Sequence, residues 1–243
     1  MNSRRGLFIT GTDTDVGKTQ VAYGVAAALT HHLGIDDVRL WKPVQTGVSV
    51  GEENADSYRL RHGSRIGNQQ EEDIVSVTLP DPLAPWIAAR RSGLTLDYHH
   101  LVEEGKTRLA QGGMWLVEGA GGLGVPLTKQ HLMLDLAKDL ALPLLIVARA
   151  GLGTVNHALQ TIAYARQAGV EIAGIILNGY QDGEEANVKD NAMMIEAFGD
   201  VHVLGILPWM AEEADDAWRM AWAATVAERV NLHQLIGLER ELK

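Results

Sequence analysis

Short, wholly apolar runs alternate along the chain with longer stretches in which apolar residues recur every three or four positions. The alternation predicts strand–helix–strand units and so an α/β fold, a mostly parallel central sheet flanked by helices. Up to six strands are expected, at Leu7–Thr10, Val38–Trp41, Met114–Val117, Leu144–Ala148, Ile172–Leu177 and Val203–Ile206. Each is short and apolar, the signature of a parallel strand covered on both faces.

Between the strands the period lengthens. Helices are expected at Lys18–His32, Asp97–Gln111, Leu132–Leu140, Thr154–Ala168 and Glu184–Phe198. Gly34, Gly112, Gly169 and Gly199 stand just past four of them, where a residue of positive φ commonly ends a helix. Residues 48–82 are polar, hold no strong strand, and read as an excursion with a short helix near Ala55–Arg61. From Asp216 to Lys243, Trp218, Trp222, Val226 and Val230 fall at steps of four, a helix with one apolar face. Its four acids balance four bases, which fits packing on the protein body rather than on a membrane surface. No repeat or linker divides the chain, so residues 1–243 read as one domain.

Gly11-Thr-Asp-Thr-Asp-Val-Gly17-Lys18-Thr19 follows the first strand and opens an alanine-rich helix. Strand, glycine-bearing loop and helix in that order make a phosphate-binding loop. Backbone N–H groups ring phosphate oxygens, the helix N-terminus adds positive potential, Lys18 reaches the outer phosphates and the Thr19 hydroxyl is a Mg2+ ligand. The strict G-x-x-x-x-G-K-[ST] spacing is missed by one residue, because Thr12 stands where the first glycine belongs. A chance Gly-Lys-Thr on a turn is the plain alternative; the flanking elements, with Val16 anchoring the loop, count against it. The fold is expected to be P-loop NTPase-like.

Magnesium on phosphates usually takes one or two carboxylates as well. Glu118 closes the third strand in Met114-Trp-Leu-Val-Glu118-Gly-Ala-Gly-Gly122, at the carboxyl edge of the sheet where open α/β folds bind ligands. A glycine-rich turn carrying a surface glutamate is the alternative. Spacing alone does not separate Asp56 from Glu52, Glu53 or Asp73 as a further ligand.

Composition narrows the partners. The chain has 243 residues, 46% of them apolar and 21% charged, ordinary values for a globular domain. Its formal charge is −10 with no basic stripe, which argues against a nucleic-acid partner. The absence of cysteine removes disulfides, thiolate metal sites and thiol nucleophiles. The longest apolar run, Leu140–Ala148, contains Pro143 and falls far short of the roughly 20 residues a membrane helix needs. Ser3-Arg4-Arg5 is followed only by Leu7-Phe8-Ile9 before polar residues, so no export signal is read; the chain is expected to begin at residue 1 and stay in the cytoplasm. The pairs His31-His32 and His99-His100 point apart and make poor metal sites, and no Gly-x-Ser-x-Gly elbow is present.

Gly11–Thr19, Lys42-Pro-Val-Gln-Thr-Gly47 and Glu118–Gly122, in this order and spacing, together resemble the dethiobiotin synthetases. Gly151-Leu-Gly-Thr-Val-Asn-His-Ala158, Asn178 and Gly205-Ile-Leu-Pro-Trp209 extend the resemblance over roughly residues 6 to 215. It implies an ATP- and Mg2+-dependent cyclo-ligase that joins CO2 to 7,8-diaminopelargonate and closes the ureido ring of dethiobiotin, in biotin synthesis, through a carbamate and a carbamic-phosphoric anhydride. Lys18 and Lys42 would be catalytic, holding the phosphates and the carbamate. Thr19, Asp56 and Glu118 would hold Mg2+, so the resemblance picks Asp56 from the acids that spacing leaves together. The nucleotide would lie on Asp15, Val16, Gly17, Lys18, Thr19, Gln20, Asp56, Glu118, Gly119, Ala120, Gly121, Asn178, Gly179, Pro208, Trp209 and Met210, with Asn178 reading the adenine. For Trp209 a place in the core is the alternative. Thr14, Lys42 and Thr46 would meet the diamine. The family works as a homodimer, and Gly151, Leu152, Gly153, Thr154 and Asn156 would offer a helix N-terminus, capped by Thr154, to the substrate carboxylate bound to the other subunit.

Two positions depart from the family. Thr46 replaces a serine of some members, hydroxyl for hydroxyl, and Pro82-Leu-Ala-Pro-Trp86 replaces a Ser-Pro-His of some relatives, with no role assigned to it. Two other P-loop classes are the alternatives. A partition- or positioning-type switch ATPase would carry lysine where this chain has Asp13, and would have little use for Lys42–Gly47. An amidating ligase of cobalamin synthesis would add a glutaminase domain with a cysteine nucleophile, for which neither the length nor the composition leaves room.

Overall fold

The computed structural model describes residues 4–211, 213 and 215–237. Ser3 and the last six residues of the expected tail helix lie outside them. In chain order the elements are β1 (Gly6–Gly11), α1 (Lys18–His31), β2 (Val38–Thr46), α2 (Asp56–Ser64), α3 (Glu71–Ile74), β3 (Val75–Leu79), α4 (Pro85–Arg91), α5 (Tyr98–Ala110), β4 (Met114–Gly122), α6 (Met133–Asp139), β5 (Leu144–Arg149), α7 (Thr154–Gln167), β6 (Ile172–Tyr180), α8 (Glu185–Gly199), β7 (Val203–Pro208), α9 (Asp216–Arg229) and α10 (Leu232–Leu235). The seven strands form one sheet in the order β3-β2-β4-β1-β5-β6-β7. Every pairing between them is parallel.

Strand periodicity divides the core into two layers. Phe8, Trp41, Trp115, Val117, Leu144, Ile146, Ile175 and Leu177 point to one face, where α4 to α8 cover them. Their neighbours Leu7, Ile9, Leu40, Met114, Leu116, Leu145, Val147 and Ile176 point to the other, under α1, α2, α9 and α10. Because both faces are covered, the strands read as unbroken apolar runs. Helix α1 packs closely on α9. A Cβ on Gly24 would come within 2.4 Å of Trp222 Nε1, and the Trp222 indole donates to Gln20 O at 2.9 Å.

All six expected strands are present, and each continues past its apolar run at the carboxyl end. Three expectations need correction. The polar excursion does contain a strand: β3 pairs only with β2, as an edge, through Lys42↔Val75 and Val44↔Val77. The tail helix stops at Arg229, where Val230 turns extended and bridges to Gly205; Trp222 and Val226 are buried as expected. Gly199 is the last residue of α8 rather than its stop, and Asp200 takes the left-handed position with φ +45°. Gly199 is small for another reason, since a Cβ there would meet Ile162 of α7 at 2.8 Å.

The order of strands explains where a site forms. From β4 the chain crosses over β1 to β5, so the crevice outside the carboxyl ends of β4, β1 and β5 is a topological switch point, the usual ligand position of open α/β sheets. Among the described residues no helix is long and apolar enough to cross a membrane.

Candidate active site

Beyond Gly11 the chain turns through the phosphate loop into α1. Thr12 N–H donates to Val147 O at 3.0 Å, tying the start of the loop to β5. Asp13 accepts from Thr14 N at 2.8 Å and pairs with Arg149 at 2.5 Å. Val16 packs into the core below the loop, and Gly17 caps α1 with φ +84°. Only glycine suits that position, because the backbone is left-handed and a Cβ would lie 2.2 Å from Asn178 Nδ2. That amide donates to Val16 O at 3.1 Å, so the end of β6 braces the far side of the loop.

Beside the loop the polar ends of β2 and β4 bring opposite charges together. Lys42, 2% exposed, pairs with Asp56 Oδ2 at 2.7 Å. It also donates to Glu118 Oε1 at 2.7 Å and to Gly119 O at 3.2 Å. Thr19 Oγ1 lies 2.9 Å from both Asp56 Oδ1 and Glu118 Oε1. Asp56 opens α2, whose first turn is held by Gln45: Oε1 of Gln45 accepts from Ser57 N at 3.0 Å. Glu118 is 1% exposed, and its Oε2 has no hydrogen-bond partner among the described residues.

Burial pulls the Lys42 ammonium down, but Asp56 and Glu118 pull it further up, and it ends well above the ordinary lysine range. Asp56 responds in reverse: burial disfavours its carboxylate, yet the charge and hydrogen bond of Lys42, with Thr19 and Arg59, bring it down to about 2. Lys18 is lowered, first by burial and then by the neighbouring Lys42. Its Nζ rests on Asp13 O at 3.3 Å.

A cavity of about 570 Å³ opens onto this cluster. Of the residues singled out in the sequence, Thr14, Asp15, Gly17, Lys18, Thr19, Lys42, Thr46, Asp56, Glu118, Ala120 and Gly121 line it. Asn178, Gly179, Pro208, Trp209 and Met210 do not; they form a rim at the ends of β6 and β7, joined to α1 where Gln20 Nε2 donates to Met210 O at 3.2 Å. Trp209 is 59% exposed, which removes the core alternative for it. Gly151–Asn156 also stand away from the cavity, at the start of α7, with Leu152 fully exposed. Thr154 is not the cap there: Gly153 is, with φ +92°, and Thr154 is the buried first residue of the helix.

The cavity has walls to which the sequence assigns no role: Gln45, Arg59, Val125 and the stretch Pro82–Pro85. Arg59 carried a usable signal, since it follows Asp56 by three residues and so shares its face of α2. Pro82 is brought in by Gly47, whose φ is +81° and where a Cβ would stand 2.7 Å from the Pro82 Cβ. The cluster as a whole combines a phosphate-binding loop, two carboxylates and a hydroxyl converging on one point, and two buried ammonium groups. That is a set suited to moving a phosphoryl group rather than to base catalysis.

Known proteins agree with this. A family model described as AAA domain matches residues 5–215. Proteins named ATP-dependent dethiobiotin synthetase BioD from Bacillus cereus (strain B4264) and Bacillus thuringiensis (strain Al Hakam) are 43% and 42% identical over 208 residues, 86% of this chain and 85% of theirs. Among solved structures, the MinC:MinD cell division complex of Aquifex aeolicus matches with a TM-score of 0.57 at 18% identity, covering 98% of both chains. The cell division ATPase MinD of Pyrococcus furiosus matches with 0.51 at 16%, over 95% of this chain and 97% of its own. At that distance the structural likeness carries the fold alone, a parallel sheet flanked by helices. The identity to the synthetases carries more, and by it this chain belongs to the ATP-dependent dethiobiotin synthetase family.

Proposed function

We propose that this protein closes the ureido ring of dethiobiotin from 7,8-diaminopelargonate, CO2 and ATP, with Mg2+, as a cytoplasmic homodimer. The observation that carries the reading is the meeting of Thr19, Lys42, Asp56 and Glu118 beside the phosphate loop. The donor set fits Mg2+: all its atoms are hard oxygens, two of them on carboxylates, and the buried Glu118 Oε2 is an acceptor left over. Thr19, Asp56 and Glu118 would hold the ion, which would supply neutralisation of the phosphate charge.

The chain's own groups do the rest. One amine of the diamine takes up CO2 as a carbamate, the carbamate oxygen attacks the γ-phosphorus with loss of ADP, and the second amine displaces phosphate to close the ring. Each step needs alignment and compensation of moving negative charge, which Lys18 provides at the phosphates and Lys42 at the carbamate. Thr14 and Thr46 give hydroxyls to the amine end, while Pro82–Pro85 and Val125 offer an apolar wall to the aliphatic chain. Asn178 uses its Nδ2 on Val16 O, and its buried Oδ1, without a partner among the described residues, is an acceptor for the adenine amino group. Pro208, Trp209 and Met210 flank the base. Gly151–Asn156 of a second copy would meet the substrate carboxylate with the free N–H groups of α7.

The test is phosphate release from ATP and Mg2+ in bicarbonate buffer with and without the diamine. The reading requires release that depends on the diamine; slow hydrolysis indifferent to it would point to a switch ATPase instead.

A further inference from the structure

Three acceptors surround the Lys42 ammonium: Asp56 Oδ2 and Glu118 Oε1 at 2.7 Å each, and Gly119 O at 3.2 Å. Thr19 Oγ1 joins this cluster, 2.9 Å from the other oxygen of Asp56 and from the same Glu118 Oε1. A hydroxyl has one proton and donates to one acceptor at a time. Glu118 Oε1 is therefore crowded, shared by an ammonium and a hydroxyl, while Oε2 of the same carboxylate has no partner among the described residues.

A divalent ion on Thr19, Asp56 and Glu118 draws on the very carboxylates that hold Lys42. Two cations on the same two carboxylates repel strongly in so buried a place. Lys42 has an escape, because it lines the cavity and its four-carbon stem is flexible. We infer that Lys42 and the divalent ion exclude one another at Asp56 and Glu118, and that entry of the metal turns the ammonium out into the cavity, toward the anion that is to react there. The inference rests on the assignment of the metal to these three side chains. It makes Lys42 a built-in competitor of the ion, and it couples metal entry to the charge presented to the substrate. By reciprocity, an anion that holds Lys42 in the cavity strengthens metal binding by the same factor.

The experiment is metal binding by the full-length protein without nucleotide, read from the electron paramagnetic resonance of free Mn2+, for the parent, Lys42→Met and Lys42→Arg. The Met variant, with the competing charge gone, is expected to bind Mn2+ at least tenfold more tightly than the parent, and the Arg variant to stay as weak as the parent. Equal or weaker binding by Lys42→Met overturns the inference. Should that variant not fold, the parent labelled with 15N at lysine Nζ decides: the hydrogen-bonded Lys42 ammonium gives a protected signal that must be lost or shifted on saturation with Mg2+. A signal unmoved by Mg2+ overturns the inference equally. Neither readout involves turnover, so a failure here and a failure to make dethiobiotin are told apart.

Discussion

Replacing Glu118 by Gln keeps the shape of the side chain and removes its charge. In the structure Glu118 Oε1 takes a hydrogen bond from Lys42 at 2.7 Å and lies 2.9 Å from the Thr19 hydroxyl. The amide must either turn its NH2 group toward the ammonium, donor against donor, or keep its oxygen there and forgo the charge. Breaking a buried ion pair by removing one partner costs about 3–5 kcal/mol. Lys42 retains Asp56 at 2.7 Å, so the expected loss lies below that range, about 2–3 kcal/mol. In a domain of this size each 1 kcal/mol lowers Tm by about 2–4 °C, which puts the fall at roughly 4–12 °C. Thermal denaturation in metal-free buffer measures it. The same variant loses a charged oxygen of the proposed Mg2+ set, and its Mg2+ requirement in turnover should rise about tenfold or more. A variant that melts with the parent and has the parent's metal dependence would refute the reasoning and leave Glu118 with no part in the ion pair or the metal set.

Three further outcomes are expected. Lys42→Ala should bind nucleotide as the parent does while turnover drops about a hundredfold or more, the usual effect of losing a charge contact in the transition state; a parallel loss of nucleotide affinity, seen by calorimetry, would place Lys42 on the phosphates instead. Gly17→Ala should abolish ATP binding and destabilise the fold, since a left-handed residue costs about 1–2 kcal/mol and the added Cβ falls 2.2 Å from Asn178 Nδ2; retained ATP affinity would contradict the role of that turn. Asp56 sits at about 2, below the usual aspartate value of about 3.9, so the stability it contributes is full above pH ~4 and is lost as pH falls toward ~2. The difference in Tm between the parent and Asp56→Asn should accordingly be constant near neutrality and close on acidification; a gap that persists at low pH would show that the Lys42 pairing is not its source.

The strands were readable because burial on both faces writes a parallel strand as an apolar run. The same rule hid how far the strands run. Lys42 to Thr46 and Glu118 to Gly122 are the continuations of β2 and β4 past their apolar runs, and Lys42, Gln45, Thr46 and Glu118 among them are polar where they face a cavity rather than a helix; Asn178, in the continuation of β6, holds the phosphate loop. Strand β3, Val75-Ser-Val-Thr-Leu79, was lost for a related reason: as an edge it alternates apolar and polar residues amid a polar segment, and its partner β2 lies far back in the chain. The choice among acids was not legible locally either. Glu52 and Glu53 are exposed, and Asp73 is spent on capping α3, accepting from Gln70 N at 2.9 Å. Asp56 pairs with Lys42 from the start of α2, which Gln45, on another element, helps to hold. The phosphate loop was plain from the sequence because its chemistry is backbone chemistry, carried by consecutive residues between a strand and a helix.

The central claim is that the carbamate oxygen attacks the γ-phosphorus and that the second amine then expels it with the phosphate. A rapid single turnover with doubly labelled 13C,18O-carbon dioxide, the diamine, ATP and Mg2+, read by mass spectrometry, tests this directly. The account predicts dethiobiotin carrying the 13C in its ring carbonyl and released phosphate carrying 18O from the carbon dioxide. Phosphate free of that label, or ATP hydrolysed with no labelled dethiobiotin formed, would contradict it.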